Sequence, residues 1–284
     1  MIKIEPSELI KKECKRRGFS KRTIETYCFY VDKFLDFCGK KDCVRTITKK
    51  DVKHYIEHLC DQNKCGSTLN VALSSVKFFI FEILHNNWKI GMKFSKIPKT
   101  LPTVLTKLEV KLIIDSIDNV KHKLIVKLLY SAGLRVGELV KLKVCDLSID
   151  EGIGWIRLGK GKKDRMFIIA KRLKEELRDY VLANELGYQD YVFGGRVGSN
   201  GKKGRISIET VYRIVKNATK KAKINKNVHP HTFRHSFATH LIDNGNLLGD
   251  IRFLLGHSNI QTTQIYTHVS NKRISLVVSP YDKL

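Results

Sequence analysis

The sequence LLYSAGLRVGELVKL, residues 128–142, decides how the second half of the chain folds. An apolar helical stretch runs into Gly133, and Arg135 follows at the predicted start of the next helix. Glu138 stands three residues later, on the same side of that helix. Such a pair is commonly a simple ion pair at a helix terminus, but an arginine inside so apolar a segment is also a candidate functional residue. The motif alone leaves both interpretations open.

A β-rich stretch follows this motif. In GIGWIRLGKGKKDRMFIIA, residues 152–170, alternating side chains flank a Gly/Lys turn, which predicts a β-hairpin with Lys160 in its turn. Before the motif, Thr106 and Glu109 predict a capping box at a helix start. Helical periodicity recurs in five later segments, at about 171–184, 208–222, 232–243, 247–255 and 261–267. Residues 106–284 are therefore expected to form a mostly α-helical domain with a small sheet.

The first part of the chain is predicted to be a helical bundle. Four segments have apolar residues at helical spacing: 7–17, 20–38, 48–62 and 66–86. A lysine-rich stretch with prolines and little periodicity follows, which is typical of an exposed linker. We therefore predict a domain over 1–90 and a linker over 91–105. The fold class expected for the whole chain is mainly α with a small β-sheet (α+β).

Charge points to the class of partner. The chain has 53 Lys and Arg against 28 Asp and Glu, a net charge of +25. Such a field favours a polyanion, and if the polyanion is DNA it gains affinity by releasing counterions. The excess is shared between both halves of the chain, so we expect both to contact the same partner.

The N-terminus and the cysteines bear on the cellular compartment. The chain has neither an apolar run of transmembrane length nor the apolar core of a signal peptide, so we expect a cytosolic protein with no membrane partner. Free thiols are the ordinary expectation there for its seven cysteines. An alternative is a structural zinc site, because Cys38, Cys43, Cys60 and Cys65 form C-x4-C-x16-C-x4-C. A disulfide is a further alternative, mainly in a hyperthermophile.

A second polar cluster lies in HPHTFRHSFATHL, residues 229–241. His231 and Arg234 are three residues apart, so they share a helical face and are able to point at one anion. The competing interpretation is a zinc helix, because His231 and His235 are four residues apart. The acidic residue of a metalloprotease helix is absent, however, with Thr232 in its place, and Arg234 would repel a cation. Anion binding is the favoured interpretation.

Two further candidates lie near the C-terminus. His257 follows an apolar helix and a glycine in LLGHS, and Tyr266 lies nine residues later in QTTQIYTH. A tyrosine in such a position is more often a core residue with a satisfied hydroxyl than a catalytic group. A catalytic role for Tyr266 needs support from the rest of the sequence.

That support comes from five motifs in order: GLRVGEL, LGKGKKDR, HPHTFRHSFATHL, LLGHS and TTQIYTHV. Together they resemble the tyrosine recombinase family, and within it most closely the Xer recombinases, archaeal members included. The resemblance covers about residues 97–270 and extends more weakly to the N-terminal helices. It implies a helical core-binding domain followed by a catalytic domain.

The resemblance also implies the site. Tyr266 matches the nucleophile, and Glu138 matches an acidic residue that supports the first catalytic arginine. The other matching catalytic positions are Arg135, Lys160, His231, Arg234 and His257. His229, His235, His240 and His268 flank these positions, and a structural role is the more ordinary expectation for each.

The chemistry explains these residue types. Attack by a phenolate on a phosphodiester builds charge on the non-bridging oxygens, which two arginines are suited to hold. With His231 as base for Tyr266, the expected product is a 3′-phosphotyrosyl enzyme and a free 5′ hydroxyl. Lys160 is expected to protonate the departing 5′ oxygen, and His257 to hydrogen-bond the phosphate. Neither a metal nor a nucleotide is expected as cofactor.

The resemblance implies as partners a double-stranded DNA recombination site and other copies of the chain, in a synaptic tetramer. The chain begins almost directly with the helical domain, so we expect a simple-site recombinase for chromosome dimer resolution. After Tyr266, β-branched residues and Pro280 make a long terminal helix doubtful. Alternatives left open are a mobile-element integrase, a type IB topoisomerase-like enzyme and a non-catalytic DNA-binding protein.

Overall fold

The computed structural model describes residues 5–39, 44–86, 88, 90–98, 101–157, 164–197 and 203–256. The chain divides into two compact units, Met1–Lys99 and Thr100–Leu284. Each unit has an apolar core of its own. The fold class is mainly helical with small antiparallel sheets, as the sequence predicts.

The first unit is a helical bundle. Its helices are α1 (Pro6–Arg16), α2 (Lys21–Cys38), α3 (Lys49–Asp61) and α4 (Gly66–Phe78), and a π-helical turn, Phe79–Ile83, extends α4. These bounds lie within a few residues of the four predicted helices. Apolar spacing explains the packing, because helical spacing places Leu69, Leu73 and Val76 on one face of α4 and all three are buried.

The segment after α4 packs against the first unit. The backbone N–H of Ser95 donates to Asn70 Oδ1 at 2.7 Å, and Asn70 Nδ2 donates to the carbonyl of Ser95 at 2.9 Å. Lys77 lies 4.9 Å from the ring centre of Phe94. Much of the predicted linker is thus held on α4, and the boundary between the compact units falls after Lys99.

The second unit contains seven helices in its described residues. They are α5 (Lys107–Asp115), α6 (Val120–Ser131), α7 (Val136–Leu139), α8 (Lys174–Ala183), α9 (Ile208–Lys221), α10 (Pro230–Asp243) and α11 (Leu248–Leu255). The predicted capping box is present, because Thr106 Oγ1 accepts from the N–H of Glu109 and the Glu109 carboxylate accepts from the N–H of Thr106. The helix predicted at 261–267 lies outside the described residues.

Two small antiparallel sheets complete the second unit. In the first, β1 (Leu147–Ser148) pairs with β2 (Ile153–Ile156), which pairs with β3 (Arg165–Ile168) as the predicted hairpin. In the second, β4 (Gly194–Val197) pairs with β5 (Lys203–Arg205). The sequence did not predict the second sheet, because glycines and basic residues dominate it and give no apolar alternation.

The cysteine predictions remain predictions, because Cys43 lies outside the described residues. In the described part of the chain, no three His, Cys, Asp or Glu side chains are grouped as metal ligands, and Cys38, Cys60 and Cys65 form no disulfide. The same described ranges contain no helix that is both long and apolar enough to span a membrane.

Candidate active site

The turn between α6 and α7 brings the polar cluster together. Gly133 has φ of +58°, a left-handed conformation that side chains disfavour. A Cβ atom here would lie 2.4 Å from Cδ1 of Phe237 on α10, so the turn packs tightly against that helix. The carbonyl of Gly133 accepts a hydrogen bond of 2.7 Å from Arg234 Nη1. Glycine at this position therefore allows both the close packing and the contact with Arg234.

Arg135 lies directly before the first residue of α7. Its backbone N–H donates to Glu138 Oε2 at 2.8 Å, and its Nη1 donates to Glu138 Oε1 at 2.8 Å. The side chain of Arg135 is 22% exposed, whereas that of Glu138 is buried. The carboxylate thus completes the helix start and orients a guanidinium group that solvent reaches.

Arg165 on β3 is the functional candidate that the sequence reasoning missed. Its side chain is only 7% exposed, and its Nη2 donates to Glu138 Oε2 at 2.6 Å. The signal was present in the strand pattern, because Arg165 and buried Phe167 are two residues apart and share the inward face of β3. A charged residue on an inward strand face predicts a buried ionic partner.

Arg234 on α10 completes the cluster of arginines. The side chain is 3% exposed, and Nη2 donates to the carbonyl of Leu255 at 2.5 Å, in addition to the bond from Nη1 to Gly133. Its Nη1 lies 4.0 Å from Glu138 Oε2. Burial acts to raise the pKa of Glu138, but Arg165 and Arg135 outweigh it and lower the pKa. Glu138 is therefore a carboxylate at neutral pH.

The last turn of α11 is attached to the same cluster. The carbonyl of Leu255 accepts from Arg234, and that of Leu254 accepts from Arg165 Nη1. Guanidinium groups suit this position because the C-terminal end of a helix carries partial negative charge. The helix ends at Gly256 in a left-handed conformation, with φ of +62°.

His231 lies in the first turn of α10 and is partly buried. Burial lowers its pKa from 6.5, and the neighbouring charges of His229, Arg234 and Arg135 lower it further. A neutral imidazole is the form that accepts a proton, so His231 is available as a base at neutral pH. The effect of Arg234 on the pKa of His231 is consistent with the sequence prediction that the two residues share one face of the helix.

Two neighbouring histidines have other surroundings. His240 Nδ1 and the hydroxyl of Tyr130 lie 2.8 Å apart, and burial lowers the pKa of His240. Burial, followed by the charges of His231, His229 and Arg234, lowers the pKa of His235 to about 4. Both residues are neutral at pH 7 and pack inside the second unit.

The described residues thus bring together Arg135, Glu138, His231 and Arg234, with Arg165 added. Lys160, His257 and Tyr266 lie outside the described residues, so their predicted places in the site remain predictions. Three guanidinium groups surround one carboxylate, which leaves an excess of positive charge beside a neutral imidazole. Such a cluster is suited to holding an anion such as a phosphodiester.

Comparison with known proteins agrees with this chemistry. The model of the phage integrase family matches residues 103–273, and the model of the phage integrase N-terminal SAM-like domain matches residues 8–90. Tyrosine recombinase XerA of Pyrococcus horikoshii is 38% identical over 258 residues, covering 90% of this chain and 86% of that protein. Tyrosine recombinase XerD of Halalkalibacterium halodurans is 32% identical over 278 residues, covering 91% of this chain and 90% of that protein.

Solved structures show the same fold. The crystal structure of XerA recombinase is similar with a TM-score of 0.55 and 32% identity, covering 95% of both chains. The structure of XerH site-specific recombinase bound to palindromic difH substrate has a TM-score of 0.74 at 22% identity, covering 97% of this chain and 85% of that chain. The matches extend over both units, and the chain belongs to the phage integrase family of tyrosine recombinases.

Proposed function

We propose that the protein is a site-specific DNA recombinase that cleaves one strand through Tyr266 and rejoins it to another. The observation that carries the proposal is the convergence of Arg135, Arg234 and His231 around Glu138 in a chain of this family. The cluster supplies fixed positive charge for a scissile phosphate and an uncharged imidazole beside it. The net charge of +25 supplies the general attraction to DNA.

Each residue has a stated task in this proposal. Arg135 and Arg234 stabilise the charge that develops on the non-bridging oxygens, and His231 accepts the phenolic proton of Tyr266. Lys160 donates a proton to the departing 5′ oxygen, and His257 hydrogen-bonds the phosphate. The residues of the chain provide these functions themselves, so the proposed reaction needs neither a metal ion nor a nucleotide.

The covalent intermediate allows the strand exchange. A 3′-phosphotyrosyl bond retains the energy of the phosphodiester, so a 5′ hydroxyl from a second duplex is able to reverse the attack and displace Tyr266. The second step breaks the phosphotyrosyl bond and forms a phosphodiester bond, and each cycle returns Tyr266 as the free phenol.

We further propose an Xer-like role in chromosome dimer resolution, with a synaptic tetramer assembled on two recombination sites in the cytoplasm. The support is the similarity to proteins named XerA and XerD over about nine-tenths of the chain. Resolution of synthetic Holliday junctions tests the strand exchange that this role requires, because a nicking-closing enzyme relaxes supercoils without exchanging strands.

A suicide-substrate assay tests the proposed chemistry. Wild type and Tyr266→Phe are incubated in EDTA with nicked duplexes that carry candidate sites, and products are separated under denaturing conditions. We expect a protein–DNA adduct with wild type alone, while both proteins retain the same affinity for the duplex. Equal binding with no adduct on an authentic site would contradict the proposal and favour a non-catalytic DNA-binding protein.

A further inference from the structure

Arg165 is a charged residue at a buried position, and burial of its guanidinium group costs free energy of folding. The side chain is 7% exposed, and its Nε is buried and has no hydrogen-bond partner among the described residues. Replacement of a buried ionic group by an apolar one of similar size is often neutral or stabilising, so folding stability alone is a weak reason for an arginine here. A buried donor without a partner adds to that cost.

The contacts of Arg165 join three elements around the site. From β3, Nη2 donates to Glu138 Oε2 of α7, and Nη1 donates to the carbonyl of Leu254 in the last turn of α11. A Cβ atom on Gly256 would lie 2.5 Å from Arg165 Cδ, so the aliphatic part of the side chain packs directly on the residue that ends α11. Gly256 is the residue before His257 in the sequence.

The bond from Arg165 also fixes the orientation of the Glu138 carboxylate toward Arg135. Oε2 accepts from Arg165 and from the backbone N–H of Arg135, while Oε1 accepts from the guanidinium of Arg135. Fixing Oε2 fixes the rotation of the carboxylate and therefore the direction in which the Arg135 guanidinium is held. Sharing one negative charge among several guanidinium groups also leaves Arg135 incompletely neutralised and attractive to an anion.

We propose that Arg165 is a positioning residue for the strand-cleavage reaction. It acts through Glu138 on Arg135, and its contacts with Leu254 and Gly256 hold the end of α11 in place. This inference rests on the proposed function. It assigns Arg165 a role in the rate of cleavage rather than in affinity for DNA or in folding.

The test compares Arg165→Met, Arg165→Lys and Arg165→Ala with wild type. Methionine keeps the apolar bulk, lysine keeps the charge without the planar fork, and alanine leaves space for an added guanidinium ion. Arg178→Met is the matched control, since Arg178 on α8 pairs with Glu175 and Asp150 at the surface. Three quantities are measured: duplex affinity, the thermal midpoint, and the rate of adduct formation with saturating suicide substrate.

We expect Arg165→Met to form adduct about 100-fold more slowly than wild type, with duplex affinity within about twofold, because misplaced catalytic groups cost rate rather than binding. Arg165→Lys recovers part of the rate, millimolar guanidinium raises the rate of Arg165→Ala, and Arg178→Met cleaves as wild type does.

Wild-type cleavage by Arg165→Met would overturn the proposal. A rate loss in folded Arg165→Ala that added guanidinium does not relieve would overturn it as well, because a merely structural role has that result. Failure of the proposed function is recognised separately, because wild type and Arg178→Met would then form no adduct. That result would also contradict the proposed role of Arg165.

Discussion

At the scale of single residues, Glu138 is a buried carboxylate that three arginines share. Its carboxylate accepts hydrogen bonds from Arg135 and Arg165 and lies 4.0 Å from Arg234. We expect Glu138→Gln to lower the free energy of unfolding by about 3 kcal/mol, because it leaves buried guanidinium groups without a counterion. Urea unfolding measures the loss.

Glu175→Gln is the control for this substitution, because Glu175 also pairs with an arginine but is 75% exposed. We expect no measurable change there, since water screens the pair. Equal stability of the two variants would show that the buried cluster does not depend on its carboxylate.

His235 gives a pH dependence with a definite sign. Its folded pKa of about 4 lies below the ordinary value of 6.5, so the unfolded chain binds the proton first as the pH falls. Folding stability should therefore decrease from about pH 6.5 to about pH 4, and His235→Gln should flatten that decrease. Chemical denaturation at several pH values measures it. The slope should persist in His54→Gln, which changes an exposed residue of α3, and an unchanged slope in His235→Gln would exclude His235 as its source.

The sequence identified candidate site residues at positions where a polar side chain interrupts an apolar helical pattern. Arg135 and Glu138 stood out in LLYSAGLRVGELVKL, as did His231 and Arg234 at helical spacing. The structure brings these four residues together. Arg165 was missed because LGKGKKDR contains three lysines as well, and the sequence alone does not show which basic residue of this run faces inward. Only the strand register distinguishes it.

At the scale of elements, the α6–α7 turn depends on a residue without a side chain. Gly133→Ala places a Cβ 2.4 Å from Phe237 in a left-handed conformation, so we expect a loss of about 3 kcal/mol in the free energy of unfolding. Adduct formation should slow as well, because the Gly133 carbonyl accepts from Arg234.

Gly137→Ala is the matched control, four residues away in the same motif. A Cβ atom there meets nothing within 4 Å, and alanine favours a helix, so stability should stay equal or rise slightly. Thermal melts of both variants make the comparison. A Gly133→Ala protein as stable as wild type would mean that the turn shifts at no cost.

Helices were predictable and one sheet was not. Periodicity at 3.6 residues and the capping signal at Thr106 determined helix positions to within a few residues in the described chain. The hairpin of β2 and β3 was predictable because apolar residues alternate around its turn. The strands β4 and β5 lack that alternation and depend on pairing with each other, which local sequence does not encode.

At the scale of the whole molecule, the two units have separate cores. The buried cluster around Phe34, Tyr55 and Phe79 belongs to Met1–Lys99, and the one around Leu124, Phe167 and Phe233 belongs to Thr100–Leu284. We therefore expect fragments 1–99 and 100–284 to fold when expressed separately. Dispersed amide spectra that overlay on those of the full chain would show it, and a collapsed spectrum for either fragment would contradict it.

The three arginines around Glu138 also have a thermodynamic consequence for the protein without DNA. Their like charges repel one another inside the fold, so the unliganded protein carries an energetic penalty that any bound oxyanion relieves. By linkage, a ligand that binds only the folded state raises the unfolding temperature. Inorganic phosphate should accordingly raise the melting temperature above that in chloride of equal ionic strength, and Arg135→Met should reduce the difference. The repulsion that lowers the stability of the unliganded protein thus adds to its affinity for a bound oxyanion.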